Sequence, residues 1–334
     1  MNENSDVLKI IESGLLGFAT GDALGVPVEF TLRSLRKSDP VCEMRGNGSY
    51  PVPEGTWSDD TSMTIATMDS IHDSDGINYE DIMDKYCDWV FHHKYCANDQ
   101  VFDVGTTIGK AIDHYYKNHM KVIECGGREE MDNGNGSLMR MLPIVYYLYY
   151  SELDEDTKTN IIQNYSSLTH GHEVSLMGCH IYYDFMSSLL SGLSKEDAYR
   201  DLQYNDYSKH YSEDCISRYK RVLSGELSSL EEDSIKSTGY VVDTLEAAIW
   251  CVLHYHSYRD SVMAAVNLGD DTDTIAAITG SMVGTIYGME SIPEEWLSKV
   301  RKVEELKSIA TGFCRVVCDN NTDVSDRFYD SEII

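Results

Sequence analysis

Asp270, Asp271, Thr272, Asp273 and Thr274 place three carboxylates and two hydroxyls within five residues. An apolar run with small residues follows at once, through Ile275, Ala277, Ile278 and Met282. Asp and Thr at a helix start satisfy free N–H groups and suit the positive end of the dipole. One cap, however, needs one acid. Carboxylates crowded inside a fold repel one another unless a cation neutralises them. Oxygen-only donors of this kind suit Mg²⁺, Mn²⁺ or Ca²⁺ rather than zinc. The alternative is a solvated acidic cap.

The pattern recurs. Trp57-Ser58-Asp59-Asp60-Thr61-Ser62-Met63 again sets adjacent carboxylates and hydroxyls before a small, apolar run. Two helix starts of this type, facing each other, would supply oxygens for two metal ions. Neither stretch has the spacing of a calcium-binding EF-hand or its closing Glu.

Other stretches carry weaker signals. Gly17–Phe30 holds Asp22 and Glu29 in apolar surroundings. Glu29 reads as an exposed loop acid or as an acid or base beside a metal. Asp22 reads as a buried residue that holds its loop. Asp103 precedes Gly105-Thr106-Thr107 and reads first as a helix N-cap. Asp132–Pro143 is a glycine-containing loop running into a helix, able to offer N–H groups to phosphate oxygens. It lacks the lysine of a P-loop, and its plain reading is a tight turn with Arg140 in an ion pair. Thr169-His170-Gly171-His172 contains a His-x-His pair, most simply loop or cap residues. Tyr146–Tyr150 reads as core packing.

The elements that must position these residues are helical. Apolar residues recur at helical spacing over 7–18, 62–72, 79–92, 106–118, 137–150, 158–168, 173–190 and 195–203. The same holds for 213–223, 240–256, 259–266, 274–288 and 294–318, whereas 33–56, 120–134 and 224–238 read as loops. Only six prolines occur and no linker divides the chain, so the expectation is an all-α, single-domain globule over 1–334, with a loosely held tail from about 319.

Composition limits the partners. A formal net charge of −29 repels phosphate backbones and anionic membranes, so neither nucleic acid nor membrane is an expected partner. No apolar run reaches the roughly 20 residues of a membrane span, and the N-terminus lacks a basic signal-peptide region. The nine cysteines form no Cys-x-x-Cys pair, which reads as reduced thiols in a cytoplasmic protein. A monomer is expected.

Taken in order, these stretches resemble the ADP-ribosylglycohydrolase family, which includes ADP-ribosylarginine hydrolases. The matching elements are Gly21-Asp22-Ala23-Leu24-Gly25 with Glu29, Trp57–Thr61, Asp103-Val104-Gly105, Gly134–Arg140, Thr169-His170, Gly239–Leu245 and Asp271–Thr274. They span about residues 7 to 290. The resemblance implies an all-α fold around two Mg²⁺ or Mn²⁺ ions, with Ser58, Asp59, Asp60, Asp271, Asp273 and Thr274 as ligands. It also implies that Glu29 is an acid beside the metals and Asp103 an acid near the reacting ribose, either of which could take or deliver the proton. Gly105, Asn135, Gly136, Ser137, Leu138, Met139, His170 and Tyr240 would hold ADP-ribose. The implied activity is metal-dependent cleavage of ADP-ribose from an acceptor, foremost arginine on a protein. Serine-linked or free O-acyl ADP-ribose, or binding without catalysis, are the alternatives. One departure stands out: the family usually has Gly-Gly-Asp where this chain has Gly269-Asp270-Asp271. A di-iron helix bundle, the rival from another class, uses Glu-x-x-His, and the sequence contains none.

Overall fold

A computed structural model describes residues 3–319. The helices are α1 (Glu3–Gly25), α2 (Arg33–Ser38), α3 (Asp59–Asp73), α4 (Tyr79–His92), α5 (Thr106–Tyr116), α6 (Leu142–Tyr149), α7 (Glu155–Ser167) and α8 (Glu173–Leu190). They continue as α9 (Lys195–Asp201), α10 (Glu213–Arg218), α11 (Val241–His254), α12 (Tyr258–Asn267), α13 (Thr272–Tyr287), α14 (Glu294–Leu297) and α15 (Val303–Asp319). The fold is all-α. No strand occurs among the described residues, only three isolated β-bridges. No helix among them is long and apolar enough to cross a membrane. The expected loose tail lies almost wholly outside the described residues.

α13 is buried along most of its length, from Thr272 to Gly284, a stretch made of small and apolar residues beyond its polar first turn. α1 lies along it in the most extensive helix pairing of the molecule. Glycines on α1 make this approach possible. A Cβ at Gly17 would sit 2.4 Å from the Gly280 carbonyl oxygen, and one at Gly25 would sit 2.3 Å from the Asp273 Cα. Gly17, Gly21 and Gly25 recur every four residues, on one face. α11 and α12 also pack on α13, while α15 packs on α1 and α3. The close seam brings the end of α1 to the start of α13.

Several boundaries differ from the sequence-based expectation: α2 forms inside 33–56, read as a loop, and the expected helix over 213–223 stops at Arg218. α1 runs through Gly25, beyond the expected 7–18, and its glycines face a neighbouring helix at close range. The expected helix over 137–150 begins only at Leu142. Pro143 has no N–H to donate to the carbonyl four residues earlier, so 133–141 stays a chain of turns. The expected helix over 294–318 is broken between Leu297 and Val303, where Lys302 takes a left-handed φ of 55° and Arg301 N–H bonds the Gly55 carbonyl.

Candidate active site

The two acidic stretches meet at the N-termini of α3 and α13. Ser58 is the N-cap of α3, its Oγ accepting from the Asp60 N–H at 3.3 Å. Asp22, fully buried in α1, accepts from the Ser58 N–H at 2.9 Å, the Thr61 N–H at 3.1 Å and the Thr61 hydroxyl at 2.6 Å. It thus satisfies the start of α3 and leaves Asp59 and Asp60 free of that task. Thr274 Oγ1 donates to Asp60 Oδ1 at 3.3 Å, joining the two helix starts. Asp271 precedes α13 without capping it; its Oδ2 accepts from Asn135 Nδ2 at 2.7 Å. Gly239 keeps room for that carboxylate, since a Cβ there would lie 2.9 Å from Asp271 Oδ2.

Glu29 reaches the same place from the turn after α1. Carboxylate oxygens of Glu29, Asp103 and Asp273 lie within 4.8 Å of one another. Asp103 is not the N-cap suggested by its position. The N-cap of α5 is Gly105, which makes no side-chain cap, and Asp103 takes a left-handed φ of 57° that turns it away from the helix start. Tyr50, which nothing in its local sequence marks, lies beside Glu29 and Asp103, and burial together with those two acids pushes its hydroxyl up.

Burial first, and repulsion between carboxylates second, hold Glu29, Asp59, Asp60 and Asp273 above the usual carboxylate range. Glu29 is pushed up to about 11, with Asp103 and Asp271 as the next causes. Asp59, Asp60 and Asp273 are held well above it. Burial also raises Asp271, against the opposing hydrogen bond from Asn135. The largest charge effects on Asp59, Asp60 and Asp273 come from other carboxylates. Asp60 Oδ2, Asp271 Oδ1 and Glu29 Oε2 are buried without any hydrogen-bond partner. Orphaned carboxylate oxygens of this kind are costly in an apolar interior unless a cation meets them. The donor set therefore fits divalent metal.

Beside the acids lies the glycine-containing loop. Its ends are fixed by a bridge from Gly134 to Tyr240, the N-cap of α11, and by the Asn135 N–H bonding the Gly239 carbonyl. Gly136 packs on His170 so closely that a Cβ would meet its Cε1 at 2.7 Å. Leu138 and Met139 turn their side chains into the core, and Ser137 Oγ accepts from Ser166 Oγ at 2.8 Å. These three residues can therefore offer a ligand only backbone. His170 is fully buried and held neutral, pushed down to about 3 by burial and by Arg140. Arg140 makes no ion pair among the described residues, contrary to its plain reading. It lies 4.6 Å from the Tyr165 ring centroid and donates to Thr169 Oγ1 at 2.8 Å. His172 accepts from the Val174 N–H at 3.3 Å as the N-cap of α8. Gly105 is exposed at the start of α5.

Comparison with known proteins matches residues 3–323 to the family model described as ADP-ribosylglycohydrolase. The chain belongs to the ADP-ribosylglycohydrolase family. It is 31% identical over 310 residues to an ADP-ribosylarginine hydrolase, Tri1, of Serratia proteamaculans, covering 92% of this chain and 79% of that one. It is 28% identical to the ADP-ribosyl-[dinitrogen reductase] glycohydrolase of Rhodospirillum rubrum, covering 86% of this chain and 90% of that one. A solved structure titled ADP-ribosylglycohydrolase-related protein complex superposes with a TM-score of 0.78 at 27% identity, covering 94% of this chain and 99% of that one. The reaction class of this ADP-ribosylglycohydrolase is hydrolysis of a glycosidic bond of ADP-ribose.

Proposed function

We propose that the protein hydrolyses the N-glycosidic bond between ADP-ribose and an arginine side chain of a protein, using two divalent cations, Mg²⁺ or Mn²⁺. Ser58, Asp59, Asp60, Asp271, Asp273 and Thr274 would hold the ions. The observation that carries the reading is the set of buried, unpartnered carboxylate oxygens shared between two helix starts. The arginine linkage rests on the relatives named for it. A cytoplasmic, monomeric enzyme is the setting we propose, in keeping with nine unpaired cysteines.

Bound there, the cations would supply positive charge that orients ribose hydroxyls and acidifies a water. The protein's own residues supply the rest. Gly105, Tyr240, neutral His170 and the backbone of the Asn135–Met139 loop would hold ADP-ribose without adding charge. Water oxygen bonds the anomeric carbon as the carbon–nitrogen bond breaks, and the electron pair leaves with the guanidine nitrogen. One proton leaves the water and one reaches that nitrogen. Carboxylate oxygens of Glu29 and Asp103 lie within 4.8 Å of one another, so one can take a proton while the other delivers one, beside the Tyr50 side chain.

The test is a panel of ADP-ribosyl-arginine, ADP-ribosyl-serine and O-acetyl-ADP-ribose, each with and without Mg²⁺ or Mn²⁺. Metal-dependent release from arginine is expected. Turnover confined to the serine or O-acetyl conjugate would replace the linkage, and turnover unaffected by chelation would sink the metal reading.

A further inference from the structure

The segment bearing Glu29 has a second side. There a cleft of about 500 Å³ is lined by Pro27, Val28, Thr31, Asn47, Ser49 and two arginines, Arg36 and Arg45. The chain carries a net charge of −29, yet among the described residues the only carboxylate paired with these guanidiniums is Asp39. Its Oδ2 lies 3.6 Å from Arg36 Nη2 and 3.6 Å from Arg45 Nη1, beyond hydrogen-bond reach of both. Arg36 is only 4% exposed. Its Nε and Nη1, and the Nε and Nη2 of Arg45, are buried with no hydrogen-bond partner.

Arg33, one turn earlier on α2, shows what a satisfied guanidinium looks like here. Its Nε donates to the Leu268 carbonyl at 2.7 Å, and its Nη1 and Nη2 donate to the Glu232 and Ile235 carbonyls at 2.7 and 2.6 Å. Arg36 and Arg45 have no such acceptors. Buried donors left unmet cost free energy, and more so when charged. Guanidinium forks match the oxygens of phosphate and carboxylate.

We propose that this cleft is an anion-binding site, separate from the ADP-ribose site, in which Arg36 and Arg45 clamp a phosphoryl or carboxylate group. The anion replaces the missing acceptors and ties α2 to the 45–49 turn. That turn is joined to the Glu29 segment by the Ser49 N–H, which bonds the Pro27 carbonyl at 3.1 Å, and by the Ser49 hydroxyl, which bonds the Glu29 carbonyl. An occupied cleft therefore braces the backbone on which Glu29 stands. The assignment is independent of the linkage that the enzyme cleaves.

Calorimetric titration of inorganic phosphate, and separately of malonate, into Mg²⁺-loaded protein tests it, with and without saturating ADP-ribose. Arg36→Gln and Arg45→Gln are measured beside the wild type. The expected result is saturable one-to-one binding of at least one anion in the presence of ADP-ribose, weakened about tenfold or more, some 1.4 kcal/mol, in each folded variant. Phosphate alone would mark a phosphoryl ligand, and malonate alone a carboxylate. Half-exposed Arg45 keeps the test decisive if Arg36→Gln does not fold. No saturable binding of either anion, equal binding in the variants, or competition with ADP-ribose would overturn the proposal. ADP-ribose affinity, read in the same series, reports separately on the active-site reading.

Discussion

A Cβ placed on Gly21 would lie 2.1 Å from the carbonyl oxygen of Ala276. The separation between α1 and α13 is thus set by the absence of a single carbon, and Asp22 follows that glycine directly. Gly21→Ala must push the two helices apart or bend them. Overpacking of this sort costs about 1–3 kcal/mol, partly offset by alanine's better helix propensity. We expect a lower urea midpoint, and weaker Mn²⁺ binding because the two acidic helix starts move relative to each other. Wild-type stability and affinity in this variant would show that the seam does not set the site.

The fold class was legible because helical periodicity covers most of the chain, and the acidic helix starts were legible because Asp-Asp-Thr occurs twice. Glu29 and Asp103 were found as acids, yet their meeting with Asp273 was not readable. It depends on a left-handed turn at Asp103 and on the glycine seam, both products of tertiary packing. Tyr50 was missed altogether. A tyrosine between serine and proline carries no local signal, and only the approach of the 45–53 loop brings it to the two acids. Arg140 is illegible for the converse reason: its counterparts are the rings of Tyr86 and Tyr165, whereas sequence alone suggests a carboxylate.

Asp59→Asn and Asp271→Asn each remove one anionic oxygen donor while keeping a side chain that can accept at a helix start. Helical content by circular dichroism should stay near wild type. Bound metal should fall by more than the roughly 10- to 100-fold that loss of an outer partner causes, and turnover should fall with it. Either variant retaining full metal content and rate would remove that residue from the ligand set.

The raised carboxyls of Glu29, Asp59, Asp60 and Asp273 fix the sign of a pH effect. An acid whose folded value exceeds its unfolded one binds more protons when folded, so stability falls as pH rises between the two values. His170, pushed down to about 3, acts oppositely, since stability rises with pH through its window. That window closes near the ordinary histidine value of about 6.5. From about pH 7 to pH 9 the raised carboxylates remain, with Glu29 still titrating towards about 11, and the buried thiols of Cys96 and Cys125, raised to about 11, act in the same direction towards pH 9. In chelator the melting temperature should therefore drop across this range. Mg²⁺ or Mn²⁺ should raise it and flatten the slope, because the ion favours the charged form. A metal-free protein equally stable at both ends would contradict the burial of unpaired acids.

Asp270 is where the chain leaves its family pattern, and the backbone accounts for the usual residue there. Its φ is 59°, a left-handed value that glycine adopts freely and aspartate tolerates. The conformation is held from both sides. The Asp270 N–H bonds the Thr31 carbonyl at 2.8 Å, and its own carbonyl accepts from the Phe30 N–H at 2.6 Å. The residue is partly exposed, and its carboxylate is not in the group formed by Glu29, Asp103 and Asp273. Exposed charge is screened, so Asp270→Gly should change Mn²⁺ affinity by less than about tenfold, or 1.4 kcal/mol. Relief of the left-handed strain and the greater freedom of glycine in the unfolded chain oppose each other. Stability should therefore stay level or rise by up to about 1 kcal/mol. Parallel Mn²⁺ titrations and urea melts of the two proteins read both quantities. A tenfold or larger loss of affinity would make the Asp270 carboxylate a working part of the metal site, and the substitution of glycine by aspartate a change in how this chain holds its ions.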